Sequence, residues 1–124
     1  MEVLNPRSAP QPVGPYSVAV KTGNLLFLSG QIPVDRETGE LIVGDVRKAT
    51  KTILENLKEI LEECGSSLEK VVKVTLYLRD ISRFTEVNDV YASFFKGHRP
   101  ARTTVEVSNL PKGVDVEIDI VAEV

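Results

Sequence analysis

Near its carboxyl end the chain reads HRPARTTVEV and then, after six further residues, VDVEIDIVAEV. Arg102 stands two residues after Pro100, at the entrance to a strand-like run. Side chains alternate along a strand, so Arg102, Thr104 and Glu106 share one face and Thr103, Val105 and Val107 the other. In the final run Asp115, Glu117 and Asp119 share a face, opposite Val116, Ile118 and Ile120. If both apolar sets meet a core, the polar sets share the outer face, and antiparallel pairing sets Arg102 opposite Glu117 or Asp119. Such a pair supports two chemistries. One is a structural ion pair. The other is a site for an acidic substrate, in which the guanidinium takes a carboxylate through two parallel hydrogen bonds and the acid handles a proton or water.

Other candidates divide in the same way. Ser29 and Gly30 end a strand, where they form a turn or present a hydroxyl and a backbone N–H to a ligand. Tyr16, after Pro15, is a packed aromatic or a hydroxyl donor. His98 follows Gly97 at a helix end, a position more typical of surface structure than of catalysis. The single cysteine, Cys64, lies beside an apolar helix stripe and reads as packing. No GxSxG elbow, phosphate loop or dinucleotide fingerprint occurs, and one histidine does not make a His-rich metal site.

The elements that must position these residues follow from periodicity. The opening dozen residues are Pro-rich and read as an extended arm. YSVAVKTGNLLFLSG gives two strands turning at Thr22-Gly23-Asn24, and Pro33, Asp35 and Gly39 then mark a wide loop. Val46, Ala49, Ile53, Leu57, Ile60 and Leu61 recur at spacings of three and four, which predicts an amphipathic helix capped by Asp45 and closed by Gly65. EKVVKVTLYLRD alternates, with Val72, Val74, Leu76 and Leu78 on its apolar face. Ser82 is placed to cap a second helix, striped by Phe84, Val87, Tyr91, Phe94 and Phe95. Two last strands joined through Asn109 to Gly113 complete the order ββ-α-β-α-ββ. That order predicts one α+β domain over residues 1–124, with two helices on one face of a mixed sheet. The other face would expose Leu25, Phe27, Tyr77 and Val121, which points to subunits packing there.

Composition narrows the partners. The 124 residues are 42% hydrophobic and 27% charged, with Lys plus Arg at 15 against Asp plus Glu at 18. A net charge of −3 gives no basic footprint, so no nucleic-acid partner is expected. One cysteine, no apolar signal core and no span-length apolar run suit a cytoplasmic protein with no membrane partner.

Taken together, GPYSVAV, LFLSGQIPVD, TGEL, VVKVTLYLRD, VNDVYASFF, RPARTTVEV and LPKGVDVEID run in order across nearly the whole chain and resemble the RidA (YjgF) family of enamine/imine deaminases. The resemblance implies a chorismate-mutase-like α+β fold, a homotrimer and a ligand cleft at each subunit interface. It implies hydrolysis of 2-aminoacrylate, 2-iminopropanoate and 2-iminobutanoate to 2-keto acids and ammonia. Those species leak from pyridoxal-phosphate enzymes, which the activity protects, and the reaction uses no cofactor or metal. By motif, Arg102 of PAR binds the substrate carboxylate, and Glu117, the first glutamate of VDVEID, holds and polarises water. Tyr16 of GPYS and Ser29 of LSGQ, with Gly30, line the pocket, and Asn88 of VNDVY supports the cleft. Where the family often has cysteine, this chain has Thr104, whose backbone N–H can still hold a carboxylate. Arg102 should lower the Glu117 pKa, whereas burial should raise it. The rival readings are a non-catalytic binder of small carboxylates such as 2-keto acids and, against the acidic balance and the lack of a basic, aromatic-lined surface, an endoribonuclease or translation inhibitor.

Overall fold

Two helices lie against one six-stranded sheet in a computed structural model that describes residues 1–124. The strands are β1 (Glu2–Leu4), β2 (Ala19–Thr22), β3 (Leu25–Gln31), β4 (Val71–Leu78), β5 (Ala101–Glu106) and β6 (Val116–Glu123), in the spatial order β1-β2-β3-β6-β4-β5. The helices are α1 (Val46–Glu63) and α2 (Phe84–Phe94). Every pairing is antiparallel except β4 with β5, so the sheet is mixed and the fold is α+β. The Pro-rich opening is more than an arm, because its first residues pair with β2 as an edge strand.

Helix α1 forms as its spacing predicts. Asp45 accepts from the Lys48 N–H at its start. At its end Gly65 takes φ 81°, and the N–H groups of Gly65 and Ser66 return to the carbonyls of Glu62 and Leu61, closing a Schellman turn. The stripe Ala49, Ile53, Leu57, Ile60 and Leu61 is fully buried against Leu26 of β3, Val74, Leu76 and Leu78 of β4, and Val116, Ile118 and Ala122 of β6. Burying a leucine or isoleucine side chain stabilises by about 1.5–3 kcal/mol, so this layer supplies most of the driving force.

Three expectations need correction. A register shift between Val71 and Lys73 turns Val71 into the core and leaves Val72 exposed. Ser82 does not cap α2: Asp80 accepts from the Ser82 N–H and hydroxyl in a preceding 3₁₀ turn, and α2 starts at Phe84 without a side-chain cap. The third correction governs the site. Strands β5 and β6 are not neighbours, since β4 lies between them and pairs with both. Arg102 aligns with Val74, Thr104 with Leu76 and Glu106 with Leu78, and those three β4 side chains all face the helices. Arg102, Thr104 and Glu106 therefore share the helix-covered side, while Glu117 and Asp119 lie on the open side with Tyr77 and Thr75. Polar residues take the helical side of β5 because the strand is at the sheet edge, where only α2 overhangs it.

The open face does carry apolar groups. Val3, Val20, Phe27 and Val121 align in one row across four strands, with Phe27 44% exposed and Val3 52%.

Candidate active site

Arg102 is held by α2. Its guanidinium donates to the Asn88 side-chain oxygen at 2.8 Å and lies over the rings of Tyr91, at 4.8 Å, and Phe84, at 5.3 Å. Phe84, Asn88 and Tyr91 occur at spacings of four and three, so one helix face supplies all three contacts. No carboxylate pairs with Arg102: the ion pairs of the structure are Arg36–Glu59, Arg47–Asp89 and Arg83–Glu86. Stacking and one amide oxygen fix the plane of the guanidinium and leave its other N–H groups for a ligand. Glu106, next but one along the face, is spent on the Ile81 N–H.

The backbone adds a donor. The Val107 N–H bonds back to the Leu78 carbonyl of β4. In a parallel ladder the alternate residues then point away, so the Thr104 N–H opens onto the unpaired sheet edge. Arg102, Asn88 and the Thr104 N–H thus form one cluster. It adjoins an open recess of about 700 Å³ lined by Asn88, Tyr91, Phe95, Lys96, Arg99 and Arg102 among others.

Glu117 belongs to a second cluster on the open face. Its carboxylate lies over Gly30, where a Cβ would overlap the Oε2 oxygen and come within 2.9 Å of the carboxyl carbon. Gly30 sits in the register shift between Leu28 and Gln31, so the bulge and the missing side chain together make room for the acid. Burial pushes the Glu117 pKa up, and the neighbouring Asp119 charge adds to the rise. Arg102, on the far side of the sheet, is not among the causes. The Tyr77 hydroxyl donates to Asp119 at 2.8 Å, which ties down that neighbour and raises the tyrosine's own pKa. Ser29 donates to the Ser17 carbonyl at 2.6 Å, fixing the segment that carries Tyr16, whose side chain is 54% exposed.

The residues expected at the site therefore fall into two groups. Arg102, Asn88 and Thr104 lie on the helix-covered side, whereas Glu117 lies over Gly30 on the open side, next to Ser29, which ties its strand to the segment that carries Tyr16. Sequence reading missed Phe84 and Tyr91 as the platform of Arg102, although their helix spacing with Asn88 was legible. It placed Tyr77 and Asp119 on the face of Glu117 but did not foresee the hydrogen bond between them. The absence of a basic, aromatic-lined surface was wrong on a small scale, since Lys96, Arg99 and Arg102 line a recess with Tyr91 and Phe95. His98 and Cys64 make structural contacts. The His98 ring bonds the Val71 carbonyl at 2.5 Å, and Cys64 caps α1 with its thiol pKa raised by burial and then by Glu63. No group of three or more His, Cys, Asp or Glu residues could hold a metal ion, and no helix is long and apolar enough to cross a membrane.

The chain thus has an α+β sheet with Arg102 on one side and the half-buried Glu117 on the other. The chain belongs to the RidA (YjgF/RutC) family, whose model, described as endoribonuclease L-PSP, matches residues 6–124. It is 52% identical over 121 residues to a RutC family protein of Pyrococcus abyssi, covering 98% of this chain and 95% of that one. It is 41% identical over 117 residues to a 2-iminobutanoate/2-iminopropanoate deaminase of Dermatophagoides farinae, covering 94% and 91%. A solved structure of a Rid-family protein from Yersinia pestis superimposes with a TM-score of 0.95 at 44% identity, covering 99% and 98% of the two chains.

Proposed function

We propose that the protein hydrolyses 2-imino acids and their enamine tautomers to 2-keto acids and ammonia, at a site completed by a second copy of the chain. The observation that carries this reading is the division of the site. A rigid arginine lacking an anion faces one side of the sheet, and a carboxylate with a raised pKa faces the other. Side chains on opposite faces meet only when the edge of one subunit meets the open face of another. The apolar row Val3, Val20, Phe27 and Val121 gives that face a reason to be covered, and a closed ring such as a homotrimer repeats the contact at every interface.

In this scheme Arg102 and the Thr104 N–H hold the substrate carboxylate. Charge-assisted hydrogen bonds contribute about 1.5–3 kcal/mol each, enough to orient a small molecule. Glu117 of the neighbouring subunit takes a proton from water as the water oxygen attacks the imine carbon. Glu117 returns that proton to the nitrogen, and as the C–N bond of the carbinolamine breaks its hydroxyl proton also passes to the nitrogen, which leaves as ammonia while the carbonyl forms. A raised pKa makes Glu117 a better base than an exposed glutamate, and positioned acid–base help is worth about 10²–10⁴-fold. Ser29 fixes the strand that bears Gly30, and Tyr16 closes the pocket as a hydroxyl donor. Chemistry of this kind removes reactive imines before they modify pyridoxal-phosphate enzymes.

The test generates 2-iminopropanoate or 2-iminobutanoate with an amino-acid oxidase and follows its loss against a trapping agent. Hydrolysis faster than buffer, lost on Arg102→Ala and on Glu117→Gln, is the expected result. A wild-type rate equal to buffer removes the deaminase reading and leaves binding of 2-keto acids as the role of the Arg102 hook. A second reading, cleavage of RNA, has the basic, aromatic-lined recess in its favour. Salt-sensitive ribonuclease activity abolished by Arg102→Ala would support it.

A further inference from the structure

The recess beside Arg102 holds more positive charge than one carboxylate neutralises. Lys96, Arg99 and Arg102 all line it, with no Asp or Glu on its wall. The chain as a whole carries a net charge of −3, and its ion pairs use Arg36, Arg47 and Arg83, so these three are among the cations without an acidic partner. Unpaired like charges gathered in one recess repel, and an anion entering it relieves that repulsion. The three are also differently mounted. Arg102 is clamped by Asn88 and its aromatic platform, whereas Lys96 and Arg99 are exposed on the segment between the end of α2 and β5. One rigid cation and two adaptable ones suit a ligand with one fixed acid group and a second group at a variable reach.

We propose that Lys96 and Arg99 form a second anion subsite, so that the preferred substrate is a 2-imino acid bearing a further carboxylate at the end of its side chain. The inference rests on the reading of Arg102 as the anchor of the first carboxylate. A recess of about 700 Å³ accommodates a four- or five-carbon dicarboxylate. Tyr91 and Phe95, with ring centres 4.7 Å apart, give it an apolar wall for the intervening methylene groups. A monocarboxylate with an alkyl side chain would leave two cations unpaired. A nucleic-acid strand needs cations along a track, and here they converge on a single recess of an otherwise acidic chain.

The products make convenient probes. Calorimetric or NMR titration should show 2-ketoglutarate binding about tenfold more tightly than 2-ketobutyrate, one charge-assisted contact being worth about that factor. The double substitution Lys96→Gln with Arg99→Gln should abolish that ratio, with the melting temperature and circular dichroism confirming that the fold is intact. Equal affinities in the wild type, binding of neither acid, or a ratio that survives the double substitution would overturn the subsite. So would displacement of the keto acids by a short single-stranded RNA of higher affinity. Imines made from glutamate and alanine separate the two claims. Hydrolysis of both with no preference for the dicarboxylate removes the subsite and keeps the deaminase. Dicarboxylate-selective binding without hydrolysis of either imine removes the deaminase and keeps the subsite.

Discussion

Arg102 keeps its charge with an amide oxygen and two aromatic faces for company, and Glu117 keeps its carboxyl partly buried on a bare glycine. Both arrangements favour a ligand over a structural partner. For Glu117 the consequence is a pH dependence with a definite sign. Its folded pKa is raised by burial and by Asp119, so the folded state holds this proton more tightly than the unfolded state. The group therefore favours folding most fully below the ordinary carboxylate pKa, and that contribution is lost as pH rises through the raised value. Glu117→Gln should raise the melting temperature at neutral pH, with the gain shrinking to nothing in acid; a gain that is equal at all pH values would refute the burial argument. Gly30→Ala tests the cradle. The added Cβ meets the flexible end of Glu117, so thermal stability should change little while imine hydrolysis falls at least about tenfold. Full activity would show that the carboxylate has no need of that position.

At the level of elements, α1 was readable because three signals agree: the three-and-four spacing, Asp45 before it and Gly65 after it. Asp45→Ala should remove the accepted Lys48 N–H bond and cost about 1 kcal/mol in a denaturant melt. The hairpin at Thr22-Gly23-Asn24 and the alternation of β4 were readable for similar local reasons. The pairing of β5 was not. Its sequence alternates Arg, Thr and Glu with Thr, Val and Val, and the polar set would normally face outward. Here α2 offers Asn88 and two rings instead of an apolar surface, and these satisfy a guanidinium better than they would a valine. Sequence order also makes β5 and β6 look like a hairpin, whereas the connection through Pro111–Gly113 carries the chain past β4. Strand neighbours depend on contacts distant in sequence, and no local pattern reports them. The pairing of Arg102 with the acidic strand thus rested on the wrong topology, and the motif alone singled out Glu117.

For the whole molecule, the proposed mechanism makes oligomerisation a condition of chemistry. An isolated subunit has a hook without a base on one side and a base without a hook on the other. The apolar row on the open face and the unpaired edge of β5 are the surfaces that assembly would use. The most direct measurement mixes two inactive variants, Arg102→Ala and Glu117→Gln, by co-refolding at equal concentration and assays hydrolysis of 2-iminopropanoate. If each site joins Arg102 of one subunit to Glu117 of its neighbour, roughly a quarter of the interfaces unite two intact halves, and activity should return to about that fraction of wild type. A mixture no more active than either variant alone, in oligomers shown to contain both, would contradict the shared site.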